Sequence, residues 1–89
     1  MSVDLVLRNC KIVNHDETSE GGIAVDDGKI VAMGLDKLLP KGKREIDARG
    51  RPVLPGLVDP HVHLAAPAWP FADGIRTATA AAAAGGVTT

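Results

Sequence analysis

The sequence predicts a mixed α/β chain in two unequal parts, and three observations carry that expectation. Apolar residues fall on alternate positions near the start, as in Val3, Leu5 and Leu7, which is the period of a half-buried strand. An Asp27-Gly28 dipeptide separates two apolar runs, Ile23-Ala24-Val25 and Ile30-Val31-Ala32-Met33, and marks a hairpin. Beyond Pro52-Val53-Leu54-Pro55-Gly56 the pattern changes to a strand-length segment, a loop, an alanine-rich helix and the start of another strand, half of a β/α repeat.

Taken in order, Val3 to Val13 reads as one or two short strands interrupted by polar Asn9 and Lys11. The polar run from Asn14 to Gly22 reads as a turn closed by a glycine pair, followed by a hairpin over residues 23 to 33. Leu35 to Leu39 suits a helical turn before Pro40, and Arg44 to Ala48 a further strand ending at Gly50. These residues together predict a small, largely antiparallel β unit. Leu57 to Leu64 is the next strand, and Ala65 to Ala72, with Pro67 and Pro70, is a loop. Asp73 is placed as the N-cap of a helix over Gly74 to Ala84, which Gly85-Gly86 stops before Val87-Thr88-Thr89 opens a second strand. Because those glycines follow a helix and do not open one, they read as a stop signal and not as a phosphate cradle.

Composition narrows the function. At 89 residues the chain is below the usual size of a single domain and buries only a modest core alone. Ten Lys and Arg against eleven Asp and Glu give a net charge of -1, with neither a basic field for nucleic acid nor a polybasic signal for a membrane. The longest low-polarity stretch, Thr77 to Val87, is too short to span a bilayer. Cys10 is the single cysteine, and Met1-Ser2-Val3-Asp4 runs straight into alternating residues with no charged-then-apolar leader, so a reducing cytoplasm is expected. Cys10 is read as a small buried hydrophobe, and His15 in its polar turn as solvated surface.

The chemistry lies in Asp59-Pro60-His61-Val62-His63. In a strand, residues two apart share a face, so Asp59, His61 and His63 oppose Val58, Pro60, Val62 and Leu64. In a parallel barrel the polar face looks inward, with the later residues nearest the rim where such folds keep their sites. Two imidazoles spaced about 6.6 Å along a strand lean toward one ion, and neutral ring nitrogens suit Zn²⁺. Asp59 is expected one layer deeper, accepting a hydrogen bond that holds the ligands in register, with a simple strand-end cap as the plainer alternative. Two histidines do not complete a catalytic coordination sphere, so further ligands are expected outside these residues. The plainer alternative is a pair of structural histidines bonded to backbone carbonyls.

The stretch Pro55-Gly56-Leu57-Val58-Asp59-Pro60-His61-Val62-His63-Leu64 resembles the P-G-x-x-D-x-H-x-H-x signature of the amidohydrolase superfamily. Ala81-Ala82-Ala83-Ala84-Gly85-Gly86-Val87-Thr88-Thr89 resembles the A-A-A-A-G-G-x-T-T that follows the first barrel helix in its cyclic-amide branch, the dihydroorotases, hydantoinases and allantoinases. The resemblance implies an N-terminal β-sandwich portion over 1–54, followed over 55–89 by the first strand, loop and helix of a truncated metal-dependent TIM-type barrel. It further implies that His61 and His63 are ligands of the more buried ion of a one- or two-metal zinc centre. A bridging carboxylated lysine, two more histidines and a catalytic aspartate would come from later strands, so no catalytic residue is expected in this chain.

Two positions depart from that pattern. Ala65 stands where dihydroorotases place an arginine for the substrate carboxylate, which counts against an orotate-type substrate, and Ala80 stands where many relatives have an arginine. The implied activity is hydrolysis of a small cyclic amide, with the isolated chain inactive and the full-length protein a homo-oligomer. Other amidohydrolase chemistry, deamination or deacylation, is the alternative within enzymes. A non-catalytic β module with vestigial histidines is the alternative outside them. Trp69 and Phe71, on the loop after the metal strand, either line a substrate pocket or cover the barrel rim.

Overall fold

The computed structural model describes residues 2–64 and 71–89, and the chain divides into two compact units, Met1–Pro55 and Gly56–Thr89. No helix among the described residues is long and apolar enough to cross a membrane.

The first unit is a five-stranded sheet of β1 (Ser2–Val13), β2 (Thr18–Asp26), β3 (Lys29–Gly34), β4 (Lys41–Asp47) and β5 (Pro52–Val53). β1 is central. One of its edges pairs antiparallel with β2, which pairs antiparallel with β3. Its other edge takes β4 along Ser2 to Arg8 and then β5 along Lys11 and Ile12, both parallel. The largely antiparallel unit expected from the sequence is therefore a mixed sheet. The link from β3, through a single 3-10 turn at Asp36–Leu38, carries the chain to the far side of β1 and returns it in the direction of β1.

β1 is one strand and not two, because the polar interruption is absorbed as a bulge. Leu7 pairs with Ile23 and Cys10 with Gly21, so three steps along β1 match two along β2. Asn9 holds the left-handed conformation there, with φ 55°, which asparagine tolerates better than most residues. The extra residue resets the alternation, so odd-numbered Leu7 joins even-numbered Cys10 and Ile12 in one apolar cluster with Ile23 and Ala48. Val6 and Ala24, neighbours of that cluster's Leu7 and Ile23 in sequence, point the other way and form a second cluster with Val3. Cys10 is buried, and burial pushes its thiol pKa up.

Arg8, beside the bulge, ties the crossover to the sheet. Its Nε donates to Glu45 Oε1 at 2.6 Å, Nη1 to the Asp36 carbonyl at 2.8 Å and Nη2 to the Pro40 carbonyl at 3.0 Å. The Asn9 amide donates to Asp36 Oδ2 at 2.9 Å. On the opposite side the Arg8 and Asn9 carbonyls accept from Ala48 and Gly50, which steers the chain from β4 to β5 along the same edge.

The hairpin at residues 23 to 33 forms as the Asp-Gly signal predicts, with Asp27 and Gly28 at φ 50° and 72°. The turn before it is shorter than expected. Asn14 and Glu17 close it with a backbone hydrogen bond, and β2 already begins at Thr18. Gly21 and Gly22 are buried within that strand and do not end a loop. A Cβ at Gly21 would collide with the Gly34 carbonyl, so the residue is chosen for backbone contact and not for turning. Where a β-sandwich portion was expected, the described residues of this unit form a single sheet with apolar clusters on both faces.

The second unit contains one helix, α1 (Phe71–Ala84), and an isolated parallel bridge between Leu57 and Val87. The helix starts before the expected Gly74, so Phe71 and Ala72 belong to it and Asp73 lies in its first turn, where a carboxylate complements the helix dipole. The rest of the expected loop, with Trp69, lies outside the described residues. The helix ends in a Schellman motif: Val87 N–H donates to the Ala82 carbonyl at 2.9 Å and Gly86 N–H to the Ala83 carbonyl at 3.0 Å, with Gly86 at φ 94°. The glycine pair is thus the helix stop read from the sequence.

Two outcomes follow for the sheet. Gly21→Ala should lower unfolding stability by about 1–3 kcal/mol, the range for inserting a group into filled space, in a urea titration followed by circular dichroism. Arg8 and the Gly42 amide hold the Glu45 carboxyl down to about 2 from its ordinary 4.5. Above pH 4.5 that stabilisation is complete; as pH falls from 4.5 to about 2 the unfolded carboxyl binds protons first, and stability is lost. Glu45→Gln should flatten the decline of the urea midpoint across that window, and an unchanged slope would show that the pair does not control it.

Candidate metal centre

The centre is built from the segment that leaves the Leu57 bridge. Leu57 N–H donates to the Gly86 carbonyl at 2.8 Å, and the Leu57 carbonyl accepts from Thr88 N–H at 2.9 Å. This is the slanted pattern of a parallel pair. The Asp59 amide continues it by donating to the Thr89 carbonyl at 2.8 Å.

There the strand ends, short of the Leu64 expected from the sequence. Among residues 57–64 only Leu57 lies in a β-bridge, and the backbone bends at Pro60 and His61. Pro60 brings no N–H to a ladder and fixes its own φ. The next amide, that of His61, is taken by Asp59 Oδ1 at 3.1 Å, so the carboxylate replaces a partner strand with a local turn. Among the described residues Asp59 is exposed, and its Oδ1 accepts from the His61 backbone amide.

The bend does not separate the histidines. His61 Nε2 and His63 Nε2 lie 3.2 Å apart, with ring centroids at 5.2 Å and planes inclined by 31°. At that distance one neutral ring can donate its proton to the other, or both lone pairs can meet one ion. Two nitrogens at about 2.0–2.1 Å from a tetrahedral zinc are separated by about 3.3 Å, so the pair fits two vertices of one coordination sphere. Both rings are exposed and open to such an ion. Among the described residues no group of three or more His, Cys, Asp and Glu side chains is gathered that could hold one alone.

A cavity of about 460 Å³ lies on the other side of the segment, lined by Val62, Leu64 and Asp59, by Thr79, Ala82 and Ala83 of α1, and by Val87 to Thr89. Its walls are mainly apolar, and His61 and His63 are not among them. Gly56 stands at the expected junction, and Val87 to Thr89 at the expected opening of a second strand, but neither was singled out as support for the histidines. Their signal was the glycine-threonine motif after the helix, whose residues supply the backbone partners of Leu57 and Asp59.

No protein-family model matches the chain. It is 44% identical over all 89 residues to the allantoinase of Escherichia coli O1:K1 / APEC, and spans 19% of that protein's length. Among solved structures it is similar to the L-hydantoinase (dihydropyrimidinase) of Arthrobacter aurescens, with a TM-score of 0.65 and 42% identity over 70% of this chain and 14% of that one. The chain belongs to the cyclic amidohydrolase branch of the amidohydrolase superfamily. A solved protein of Bacillus thuringiensis is also similar, with a TM-score of 0.51 and 35% identity over 71% of this chain and 92% of that one. The hydantoinase likeness accords with a cyclic amidohydrolase's N-terminal β domain for the sheet of the first unit.

Proposed function

We propose that this chain supplies two metal ligands, His61 and His63, to a hydrolase of cyclic amide C–N bonds of the allantoinase and hydantoinase kind. The observation that carries the reading is the convergence of the two Nε2 atoms to 3.2 Å within the Asp-x-His-x-His motif of a chain 44% identical to an allantoinase. In this reading residues 55–89 open a TIM-type barrel, and Leu57, Val58 and Val62, which are 58%, 68% and 52% exposed, are covered by later strands and helices of the full-length protein. Residues 1–54 contribute one layer of a β-sandwich.

The chain's own part in the chemistry is positional. His61 and His63 would hold an ion through their Nε2 atoms, which the backbone brings to 3.2 Å of each other. Asp59 fixes the backbone that carries the first of them. A zinc ion held there would supply Lewis-acid polarisation of the scissile carbonyl and acidify water. With two ligands in hand, the remaining ligands and the general base come from residues outside this chain, so the 89 residues alone turn nothing over. The protein acts in the cytoplasm on a small molecule.

His61→Ala and His63→Ala, each made in the full-length protein, should lower zinc content and reduce kcat/KM by more than about 100-fold on whichever of allantoin, hydantoin or dihydrouracil the unaltered enzyme turns over. Undiminished turnover in either variant would remove that histidine from the centre. Turnover of none of the three by the unaltered protein would point to deamination or deacylation instead.

A further inference from the structure

We infer that Gly56 and Thr88 form a positioning contact for the histidine pair, and the inference rests on the reading of His61 and His63 as ligands. Gly56 precedes Leu57, and Thr88 follows Val87, so the two residues flank the only β-bridge among the described residues of this unit. A Cβ built on Gly56 would strike the Oγ1 and Cγ2 of Thr88 and lie 2.7 Å from its Cβ. The last of these is not the end of a flexible side chain. Thr88 is β-branched and stiff, so it cannot turn aside, and the backbones must part if position 56 carries a side chain.

Their separation would be felt at the imidazoles through a short series of bonds. Thr88 N–H donates to the Leu57 carbonyl, and the neighbouring Thr89 carbonyl accepts from the Asp59 amide at 2.8 Å. Asp59 Oδ1 in turn accepts from the His61 amide at 3.1 Å, and His61 Nε2 faces His63 Nε2 at 3.2 Å. Each link is a backbone position or a short side chain, with little slack to absorb a shift at its origin. Gly56 and Thr88 touch no ion or substrate in this scheme. They hold the strand end from which the ligands are presented, and Thr88 acts by its bulk against a residue that has none.

The test is a double-mutant cycle in the full-length protein, labelled with ¹⁵N at histidine and amide nitrogens and titrated with Zn²⁺, reading the side-chain signals of His61 and His63 and using His15 in its separate turn as an internal control. Gly56→Ala should raise the zinc concentration at half-shift for both rings by about tenfold, the scale of losing a support behind a ligand. In the metal-free chain it should also remove exchange protection from the Asp59 amide. In the Thr88→Gly background the same substitution should change neither readout. Amides of the β1–β2 pair, read in the same spectra, separate a local shift from general unfolding. An unaltered zinc response in Gly56→Ala, an equal loss in both backgrounds, or unfolding that Thr88→Gly does not reverse would each overturn the contact. Failure of zinc to move either ring in the unaltered full-length protein, with His61 and His63 no different from His15, would overturn the ligand reading beneath it.

Discussion

The parallel hydrogen bonding around Leu57 is the constraint on which the candidate centre depends. Both polar groups of that backbone are engaged by the strand end beyond α1, at 2.8 and 2.9 Å, and the Asp59 amide is fixed by the same segment. Each such bond is worth only about 1 kcal/mol net. Their value lies in geometry, because they fix the segment from which the histidines are presented. Once Asp59 has used its amide, Pro60 has none to give, and His61 must find its partner locally in the Asp59 side chain. The bend that follows brings together two imidazoles that an extended strand would hold farther apart. α1 serves this arrangement by its ending: the Schellman bonds of Gly86 and Val87 turn the chain so that Val87 meets Leu57.

In the sheet of the first unit, the corresponding constraint is the single extra residue in β1. It allows one strand to place Leu7 and Cys10 on the same side, although an unbroken alternation would oppose them. The same irregularity directs the Arg8 guanidinium to Glu45 and to two carbonyls of the crossover, so the link to β4 is held by the strand it must lie beside. This explains a sheet that is antiparallel on one edge of β1 and parallel on the other.

Features encoded by neighbouring residues were legible in the sequence. The Asp27-Gly28 turn, the glycine stop after the alanine run and the paired histidines each depend on a few adjacent residues, and each motif keeps its meaning wherever the rest of the chain goes. The resemblance carried by Pro55 to Leu64 and Ala81 to Thr89 named the family before any geometry was known. What alternation could not reveal was decided at a distance. Gly21 and Gly22 look like turn residues because composition does not show that Gly34 passes against one of them. The parallel placement of β4 brings Glu45 to Arg8, 37 residues away, a pairing that local sequence does not show. Within the strand expected from Leu57 to Leu64, the Asp59 side chain accepts from the His61 amide, a bond that side-chain periodicity does not encode.

The most direct measurement is the anomalous scattering of zinc in crystals of the full-length protein. The expected result is one ion with His61 Nε2 and His63 Nε2 both at about 2.0–2.1 Å, and with the Leu57–Val87 bridge intact beneath them. An ion held by only one of these histidines, or bound elsewhere with the two rings still paired to each other, would contradict it.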